Sequence, residues 1–264
     1  MKEKIVVTLT QSEAFSEGLD EFLAATGWEY IPRGRRGLDK LRKETGALWV
    51  VVWSSEGPVL YGPQGRLFFH PSMAKNRISQ HRKGLTVDVM ERVVGVRAND
   101  KFLDCTLGLG ADAIVASYIA GEQGQVVGLE SSRVLAFIVS FGMRYYRTDM
   151  VWLQNAIRRV RVINVDHLEF LRRQPSQSYD IVYFDPMFRV PVSQSQPLSP
   201  LRLFADHRPL SGEVLNEALR VARRRVVMKE RKDSAEFARL GIEQVVGGES
   251  SRVAYGIIEK GGKV

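Results

Sequence analysis

A glycine-containing turn between a β-rich segment and a candidate helix is the first feature with the chemistry of a binding site. In the segment FLDCTLGLGADA the apolar run ends at Asp104, and a turn at Gly108 and Gly110 precedes the helix. Glycines let the backbone approach a ligand closely, and the first N–H groups of a helix have no partner within the helix. The pattern predicts a loop that binds a nucleotide-like ligand, although a strand-to-helix turn without a ligand would look the same.

The acid that precedes this loop indicates which nucleotide-like ligand is bound. The carboxylate of Asp104 would repel a pyrophosphate, whereas it would attract a sulfonium or an amino group. The loop also differs from the full G-x-G-x-x-G fingerprint of dinucleotide sites, because Ala113 occupies the third position, although the fingerprint tolerates alanine there. We therefore expect S-adenosylmethionine (SAM) as the cofactor. An NAD(P) enzyme is the less favoured alternative, and calorimetry with each cofactor would separate the two.

Two later β-rich segments also end in acids. Glu130, followed by Ser131, ends QVVGLE, and a carboxylate at that position accepts two hydrogen bonds from a ribose diol. NAD enzymes use the same device, and the dipole of the next helix would also favour an acid there. Asp166 follows RVINV, where it could accept a hydrogen bond from an adenine amino group, with His167 supplying a backbone N–H or a ring face. Asp166 is equally suited to cap the next helix, and the two roles are compatible.

The segment DIVYFDPMF has the most specific pattern. It resembles the [D/N]-P-P-[F/Y/W] motif of SAM-dependent amino-methyltransferases, with Met187 in the third place. A carboxylate on Asp185 and the carbonyl of Pro186 could hold an exocyclic amine by its two protons and aim its lone pair at a methyl group. Phe188 could stack on the ring that carries the amine. The alternative is a strand-ending Asp-Pro turn beside a core phenylalanine.

The remaining candidate residues carry weaker signals. Cys105 could act as a nucleophilic thiol, but we expect a small buried residue. Residues 189–208 have no clear periodicity and are predicted to form an irregular lid or binding loop. Basic clusters at 75–83 and in this loop are interpreted as RNA contacts, whereas the cluster at 158–161 is interpreted as a solvated face. The four histidines are dispersed without ligand spacing, so no metal is expected.

The order of the segments predicts the elements that position these residues. From residue 101 onward, short apolar runs alternate with amphipathic stretches, which is typical of a doubly wound α/β sheet. The predicted fold class is α/β, a Rossmann-like class I methyltransferase sheet that is mostly parallel with an antiparallel edge hairpin. Residues 1–75 are predicted to form a small N-terminal α/β domain and residues 76–264 the SAM-binding domain. Between them, a basic connector is expected to lead to a helix at residues 85–96.

Composition and charge narrow the class of protein. The chain has 264 residues, one cysteine and a formal net charge of +8. A single cysteine cannot form a disulfide within the chain, which fits a reducing compartment. No apolar run approaches the roughly 20 residues that span a bilayer, so we expect a cytoplasmic protein without membrane contact. The excess of positive charge favours a polyanionic partner, although a basic soluble protein without one has the same composition.

Together these motifs resemble the RsmJ-type small-subunit ribosomal RNA guanine-N2 methyltransferases over about residues 75–260. That family has a D-x-T-x-G-L-G-x-D-A loop and a Y-x-D-P-M-F motif. The matching residues here are Asp104, Thr106, Gly108, Leu109, Gly110, Asp112 and Ala113, followed by Tyr183, Asp185, Pro186, Met187 and Phe188. The resemblance implies a SAM-binding Rossmann-like fold that methylates a guanine 2-amino group in RNA. It also implies that the loop of Asp104 holds SAM, that Glu130 binds ribose and that Asp185 binds the target amine.

The chain departs from this family after the D-P-M-F motif. The family continues with a proline and basic residues, whereas this chain continues with Arg189–Val192, and its first 70 residues have no obvious match. The chain is still more similar to an uncharacterised group of Firmicutes-type proteins with an H-P-S-M-A segment, which is His70–Ala74 here. The resemblance therefore supports the expected fold and cofactor more strongly than it supports the expected substrate.

The first hypothesis for function is direct methyl transfer to a guanine amine in RNA, with ribosomal RNA as the expected partner and substrate. A methyltransferase that acts on a small molecule or on a protein side chain is the second. A non-catalytic RNA-binding module is the third, and the intact set of acids and glycines argues against it. The sequence does not determine the oligomeric state.

Overall fold

Two β-sheets organise the chain in the computed structural model, which describes residues 4–10, 17–187, 199–249 and 251–261. The strands are β1 (Ile5–Leu9), β2 (Glu29–Tyr30), β3 (Trp49–Ser54), β4 (Gly57–Gly62), β5 (Gly65–Phe68), β6 (Lys101–Asp104), β7 (Gln125–Glu130), β8 (Val160–Asn164), β9 (Tyr179–Phe184), β10 (Ala222–Arg231), β11 (Gln244–Val246) and β12 (Val253–Glu259). The N-terminal sheet has the order β2-β1-β3-β4-β5, and the C-terminal sheet has the order β11-β12-β10-β9-β6-β7-β8.

Helices connect these strands and cover the sheets. They are α1 (Leu19–Thr26), α2 (Leu38–Thr45), α3 (Ser72–Arg82), α4 (Val89–Arg92), α5 (Ala111–Ala120), α6 (Arg133–Tyr145), α7 (Val151–Arg158), α8 (His167–Arg173), α9 (Ser199–Phe204), α10 (Gly212–Val221) and α11 (Glu236–Arg239). Among the described residues, no helix combines the length and the apolar character that crossing a membrane requires.

The central strand of the N-terminal sheet is apolar on both faces because both faces are covered. On one face of β3, Trp49, Val51 and Trp53 belong to a core shared with α1 and α6. On the other face, Val50 and Val52 pack with residues of α2. Alternate side chains of a strand point to opposite faces, so the continuous run WVVVWS supplies both cores. β1 pairs in parallel with β2 and β3, whereas β3, β4 and β5 pair antiparallel.

Helix α6 joins the two sheets. Its residues Leu135, Ile138 and Phe141 lie in the core of the N-terminal sheet, and the guanidinium of Arg133 donates to the carbonyl of Thr26 at 2.6 Å. Helix α3 runs through residue 75. The division into domains at residues 75 and 76 therefore stays a prediction from the sequence.

The C-terminal sheet confirms the predicted fold class. Strands β8, β7, β6, β9 and β10 are parallel, and β12 pairs antiparallel with both β10 and β11. The two last strands are therefore antiparallel at one edge, as predicted, with β12 inserted between β10 and β11. The chain order reverses between β6 and β9, and in such sheets ligands bind at the carboxyl ends of the strands beside this reversal.

Three predictions about local structure need correction. The basic connector is itself a helix, α3, because Ala74 and Ile78 bury against the core. The expected helix at 85–96 is reduced to the single turn α4, which Asp88 caps by accepting from Met90 N at 2.8 Å. The loop at 189–208 contains α9 near its end, while residues 189–198 lie outside the described part of the chain.

Candidate active site

The turn after β6 is held by main-chain hydrogen bonds to the neighbouring strands. Cys105 N donates to the carbonyl of Tyr183 in β9 at 2.9 Å, and Leu107 N donates to the carbonyl of Leu129 in β7 at 2.9 Å. Gly108 has a φ of +53°, a backbone conformation that side chains disfavour, and a Cβ placed there would meet nothing within 4 Å. The turn therefore presents open space at the carboxyl edge of the sheet.

Glu130 ends β7 beside this turn, and backbone amides fix its carboxyl group. Its Oε2 accepts from Gly108 N at 3.2 Å, and its Oε1 accepts from Ser132 N at 2.8 Å. Burial raises the pKa of Glu130 to about 7, although these two N–H groups oppose the shift. Glu130 is only 7% exposed, yet it lines a cleft.

This inner cleft has an empty volume of about 560 Å³. Its lining includes seven of the residues predicted from the sequence, namely Thr106, Gly108, Glu130, Ser131, His167, Asp185 and Pro186. The opposite wall comes from α9 and the segment after it, through Leu201, Ala205, Asp206, Arg208 and Leu210. The predicted proximity of the 189–208 segment to the site is thus confirmed for its described part.

A second, outer cavity opens on the other side of the Asp185-Pro186-Met187 turn. It has an empty volume of about 860 Å³, and Pro186, Met187 and Arg208 line both cavities. Glu230 and Arg231, at the end of β10, contribute to its wall. The turn after β9 therefore lies between the inner cleft and the outer cavity and borders both of them.

Asp185 lies at the junction and is bound from two directions. Its N–H donates to Thr106 Oγ1 at 2.5 Å, which ties the turn after β9 to the turn after β6. Its Oδ2 accepts from Lys229 Nζ at 2.7 Å. Burial raises the pKa of Asp185 to about 6, with the Lys229 ammonium opposing the shift and the Asp112 carboxylate adding to it. The carboxyl is therefore mostly ionised at neutral pH and able to accept a proton.

His167 and Asp166 follow β8 at the far end of the inner cleft. Asp166 caps α8, because its Oδ1 accepts from the backbone N–H of Leu168 at 2.9 Å. Its Oδ2 accepts from the Arg208 guanidinium at 2.6 Å, a contact that lowers its pKa although burial opposes this. The His167 ring packs edge-on against Phe184, and burial lowers its pKa, so the imidazole is neutral at pH 7. The capping role proposed for Asp166 is confirmed.

Five of the described residues predicted for the site lie outside the lining of the inner cleft. They are Asp104, Leu109, Gly110, Asp112 and Asp166. Asp104 is 2% exposed and accepts from Thr106 N, and burial raises its pKa well above its usual range. Asp104 was expected to face a cation as a carboxylate, but its burial favours the neutral carboxyl group. Gly110, which immediately precedes α5, has a φ of +77°, and a Cβ there would meet Met143. Phe188 lies outside the described residues.

Lys229 is a site residue that the sequence analysis missed. It stands near the carboxyl end of β10, and its ammonium bridges Asp185 and Asp112, at 2.7 and 3.1 Å. The available signal was a lysine that interrupts an apolar strand, in RRVVMKE, at the edge where the strand-end acids gather. Recognising it required the pairing of β10 with β9, which no local pattern supplies.

Several side chains of the basic cluster at 75–83, which the sequence suggested as an RNA contact, have partners within the protein. Arg77 points inward, where it binds Asp88 at 2.7 Å and also Asp112. His81 pairs with Glu91 at 2.8 Å, and Arg82 stacks over Trp152. These side chains stabilise the packing of α3. Arg158 in the 158–161 cluster is likewise engaged, with the main chain of α6 and its C-terminal end.

Cys105 is buried at 3% exposure, and burial raises the pKa of its thiol well above the usual range. The expectation of a small buried residue is therefore confirmed. A buried thiol with a raised pKa is a poor nucleophile. Within the described ranges, no group of three or more His, Cys, Asp and Glu side chains is arranged to hold a metal.

The strand order and the strand-end site define a class I SAM-dependent methyltransferase. The solved structure of a SAM-dependent methyltransferase from Neisseria gonorrhoeae has the same fold, with a TM-score of 0.66 over 98% of this chain and 97% of that chain at 16% identity. The shared coverage extends over both sheets.

The chain belongs to the family described as "Putative SAM-dependent methyltransferase", whose model matches residues 66–253. It is 39% identical to the uncharacterized protein YpiP of Bacillus subtilis (strain 168), over 87% of this chain and 89% of that protein. It is 29% identical to ribosomal RNA small subunit methyltransferase J of Buchnera aphidicola subsp. Schizaphis graminum, over 54% of this chain. That match spans 57% of the Buchnera protein, little more than half its length. The resemblance inferred from the sequence is confirmed, and SAM is the cofactor.

The residues of the inner cleft fit this cofactor. Glu130 offers fixed carboxyl oxygens of the kind that a ribose diol binds, and the open space over Gly108 admits a ligand close to the backbone. Three acids, Glu130, Asp185 and Asp206, line the cleft beside one arginine, Arg208, a balance that suits a sulfonium cation better than a phosphate.

Proposed function

We propose that this methyltransferase transfers a methyl group from SAM to the exocyclic 2-amino group of a guanine in ribosomal RNA. The observation that carries the proposal is the turn at Asp185, Pro186 and Met187, which lies between the cofactor cleft and the outer cavity. An amine that enters through the outer cavity meets Asp185 where it borders the inner cleft. This arrangement supports transfer to a nitrogen that a carboxylate can grip.

The inner cleft is proposed to bind the cofactor through the strand-end residues. Glu130 would accept hydrogen bonds from the ribose hydroxyls, with Gly108 and Ser131 beside it. His167 would contact the adenine with its ring, while Asp166 orients the loop that carries it. Asp104, Leu109 and Gly110 would shape the binding turn from beneath, and Thr106 would fix it to Asp185.

The proposed chemical step depends on the two oxygens of Asp185. Bound SAM would supply a sulfonium methyl group for an attacking nitrogen lone pair, and the neutral thioether S-adenosylhomocysteine would be the leaving group when the S–CH3 bond breaks. Lys229 holds Oδ2 of Asp185, which leaves Oδ1 to accept a hydrogen bond from the target amine. The Pro186 carbonyl would accept the second N–H, so that the lone pair is aimed at the cofactor. The carboxylate then accepts the proton that the amine loses.

Four further observations support a guanine in RNA as the source of the amine. The edge of guanine that carries the 2-amino group presents N–H donors, and Asp185 and Glu230 supply carboxyl acceptors at the two cavities. The outer cavity has room for a base turned out of its stack. The formal net charge of +8 favours a polyanion, and the curated relatives named ribosomal RNA small subunit methyltransferase J act on RNA by their names.

The test is methyl transfer from radiolabelled SAM to material from a strain that lacks the gene. Total RNA, isolated ribosomal subunits and protein extract are incubated separately with the wild-type enzyme. Asp185→Ala is assayed in parallel with Asp149→Ala, which changes an exposed aspartate on the surface. We expect label in ribosomal RNA that requires Asp185 and not Asp149, and nuclease digestion should recover it as N2-methylguanine.

Two outcomes would contradict the substrate proposal. Label in protein or in small molecules, with none in RNA, would retain the methyltransferase and reject RNA as substrate. Label in RNA on a base other than guanine, or on a ribose oxygen, would reject the 2-amino target.

A further inference from the structure

A chain of alternating charges runs from helix α3 to the turn after β9. Arg77 of α3 binds Asp88 through two N–H groups, at 2.7 and 2.9 Å, and also binds Asp112 of α5. Asp112 Oδ2 accepts from Lys229 Nζ at 3.1 Å, and Lys229 in turn binds Asp185 at 2.7 Å. The three inner charges, Arg77, Asp112 and Lys229, each have an opposite charge on either side, which such buried groups require.

Asp112 is fixed from several elements at once. The phenol of Tyr183, which is fully buried in β9, donates to Asp112 Oδ2 at 2.8 Å. Burial opposes its ionisation, but Lys229 and Arg77 outweigh burial and lower the pKa of Asp112 to about 2. Asp112 is therefore a permanent anion, and it lies outside the lining of the inner cleft. Its contacts are with Arg77, Lys229 and Tyr183, and they anchor the Lys229 ammonium.

We propose that Lys229 and Asp112 are positioning residues for Asp185, and that Asp112 does not contact the cofactor. Lys229 fixes one carboxyl oxygen of Asp185 so that the other faces the target amine, and Asp112 fixes Lys229. Arg77 and Asp88 extend the support to α3 and α4. This inference rests on the proposed role of Asp185 in the reaction, but the coupling it describes can be measured without an RNA substrate.

The charges around Asp185 act on its ionisation in opposite directions. Lys229 favours its carboxylate, and Asp112 disfavours it as a like charge. The groups that face Asp185, Asp112 or Lys229 from the surrounding elements are Arg77 of α3, Asp104 of β6, Tyr183 of β9, Glu230 of β10 and Tyr255 of β12. Removing Lys229 or Asp112 should therefore move the Asp185 pKa in opposite directions.

The experiment follows the Asp185 carboxyl by NMR in protein labelled with ¹³C at aspartate Cγ, with Asp185→Asn used for assignment. The wild-type carboxyl should titrate near pH 6. Lys229→Met should raise this midpoint by about one to three pH units, the usual influence of an adjacent opposite charge. Asp112→Asn should lower it, because a like charge is lost and Lys229 is left to pair with Asp185 alone. Lys229→Arg, which keeps the charge, should stay closer to wild type than Lys229→Met.

The controls separate positioning from general destabilisation. Lys101→Met changes a lysine at the opposite end of the parallel sheet and should leave the Asp185 midpoint unchanged. Calorimetry should find SAM affinity in Asp112→Asn within about threefold of wild type, whereas direct cofactor contact would cost tenfold or more. With a labelled RNA substrate, Lys229→Met should lower kcat at neutral pH and move the acid limb of its pH profile upward.

The proposal is overturned if the two variants shift the Asp185 midpoint in the same direction, or if neither shifts it. It is also overturned if Asp112→Asn loses SAM affinity. If Lys229→Met does not fold, the direction of the shift in Asp112→Asn still decides. Opposite shifts without any labelling of RNA would uphold the coupling and reject the proposed substrate, so the two failures are distinguishable.

Discussion

Glu130 and Asp185 end adjacent regions of the same sheet edge, yet the protein holds them in different ways. Both are carboxyl groups whose pKa is raised by burial, to about 7 and about 6 respectively. Glu130 is held by backbone N–H groups from the turn after β6 and from the start of α6. Asp185 is held by a charged side chain, Lys229, which depends on a second buried carboxylate.

The difference follows from what each end of the site is proposed to bind. Backbone donors are rigid and neutral, so they suit a carboxyl that binds the same ribose in every cycle. A lysine ammonium can keep the neighbouring carboxyl group ionised until that carboxyl group accepts a proton. The cofactor side is thus built from local main-chain geometry, whereas the substrate side is built from charges brought together by the tertiary fold.

The largest expected effect is on the chemical step. Asp185→Asn keeps the size of the side chain but removes the carboxylate, and it should lower kcat by about 10²- to 10⁴-fold, the usual contribution of a proton acceptor. Single-turnover transfer from labelled SAM at saturating cofactor measures this loss. Glu130→Gln at the same saturating cofactor should retain most of the rate. Equal losses of rate in the two variants would contradict the proposed difference in role between the two carboxyl groups.

The second effect concerns the pH dependence of SAM binding. Protonation of Glu130 removes its charge and converts one carboxyl oxygen into a donor, so hydrogen bonds from a ribose diol favour the carboxylate. Because the pKa of Glu130 is about 7, SAM affinity should fall as pH falls below 7, by about tenfold per pH unit. Calorimetric titrations between pH 5.5 and 8.5 would measure this slope. Glu130→Gln should flatten it, while Glu122→Gln, at an exposed position, should leave it intact.

The third effect separates binding from stability within the glycine turn. Gly110 has a φ of +77°, and a Cβ there would lie 2.3 Å from Met143 Cε. Gly110→Ala should therefore lower the free energy of unfolding by about 1–3 kcal/mol. Gly108→Ala carries only the backbone strain, about 1 kcal/mol, but its methyl group points into the open space of the cleft. In urea unfolding Gly110→Ala should lose more stability than Gly108→Ala. In SAM titration Gly108→Ala should lose more affinity than Gly110→Ala.

The smallest effect is expected at Cys105. This residue is buried beneath the site, and its thiol is held in the neutral form. Cys105→Ala should change the methyl-transfer rate by less than about threefold and cost only a modest part of the stability. A complete loss of transfer in a folded Cys105→Ala variant would point to a covalent mechanism and would remove Asp185 from its proposed role.

Part of the inner-cleft lining could be predicted from sequence because its determinants are local. Thr106 and Gly108 lie in a turn between the end of an apolar strand and the start of a helix, whereas Asp104 and Gly110 of the same segment lie outside the lining. The strand order then brings Glu130 beside that turn, because β6 and β7 are neighbours in sequence and in space. The class of fold followed from the same alternation of strands and helices.

The substrate half could be predicted only in part, because its partners are distant in sequence. Asp185 was found by its motif, but Lys229 lies 44 residues away and is brought close by the parallel pairing of β9 and β10. Arg77 was interpreted as an RNA contact because its basic stretch was expected to lie near the cofactor pocket. Its partner Asp112 lies 35 residues further on, so only the packing of α3 against α5 reveals the buried pair.

The division of the site between two carboxyls is the central claim, and SAM calorimetry on two variants tests it most directly. Glu130→Gln should bind SAM about ten- to a hundredfold more weakly than wild type, the cost of hydrogen bonds to a lost charge. Asp185→Asn should bind SAM within about threefold of wild type. A Glu130→Gln variant with wild-type affinity, or an Asp185→Asn variant with the greater loss, would contradict the account.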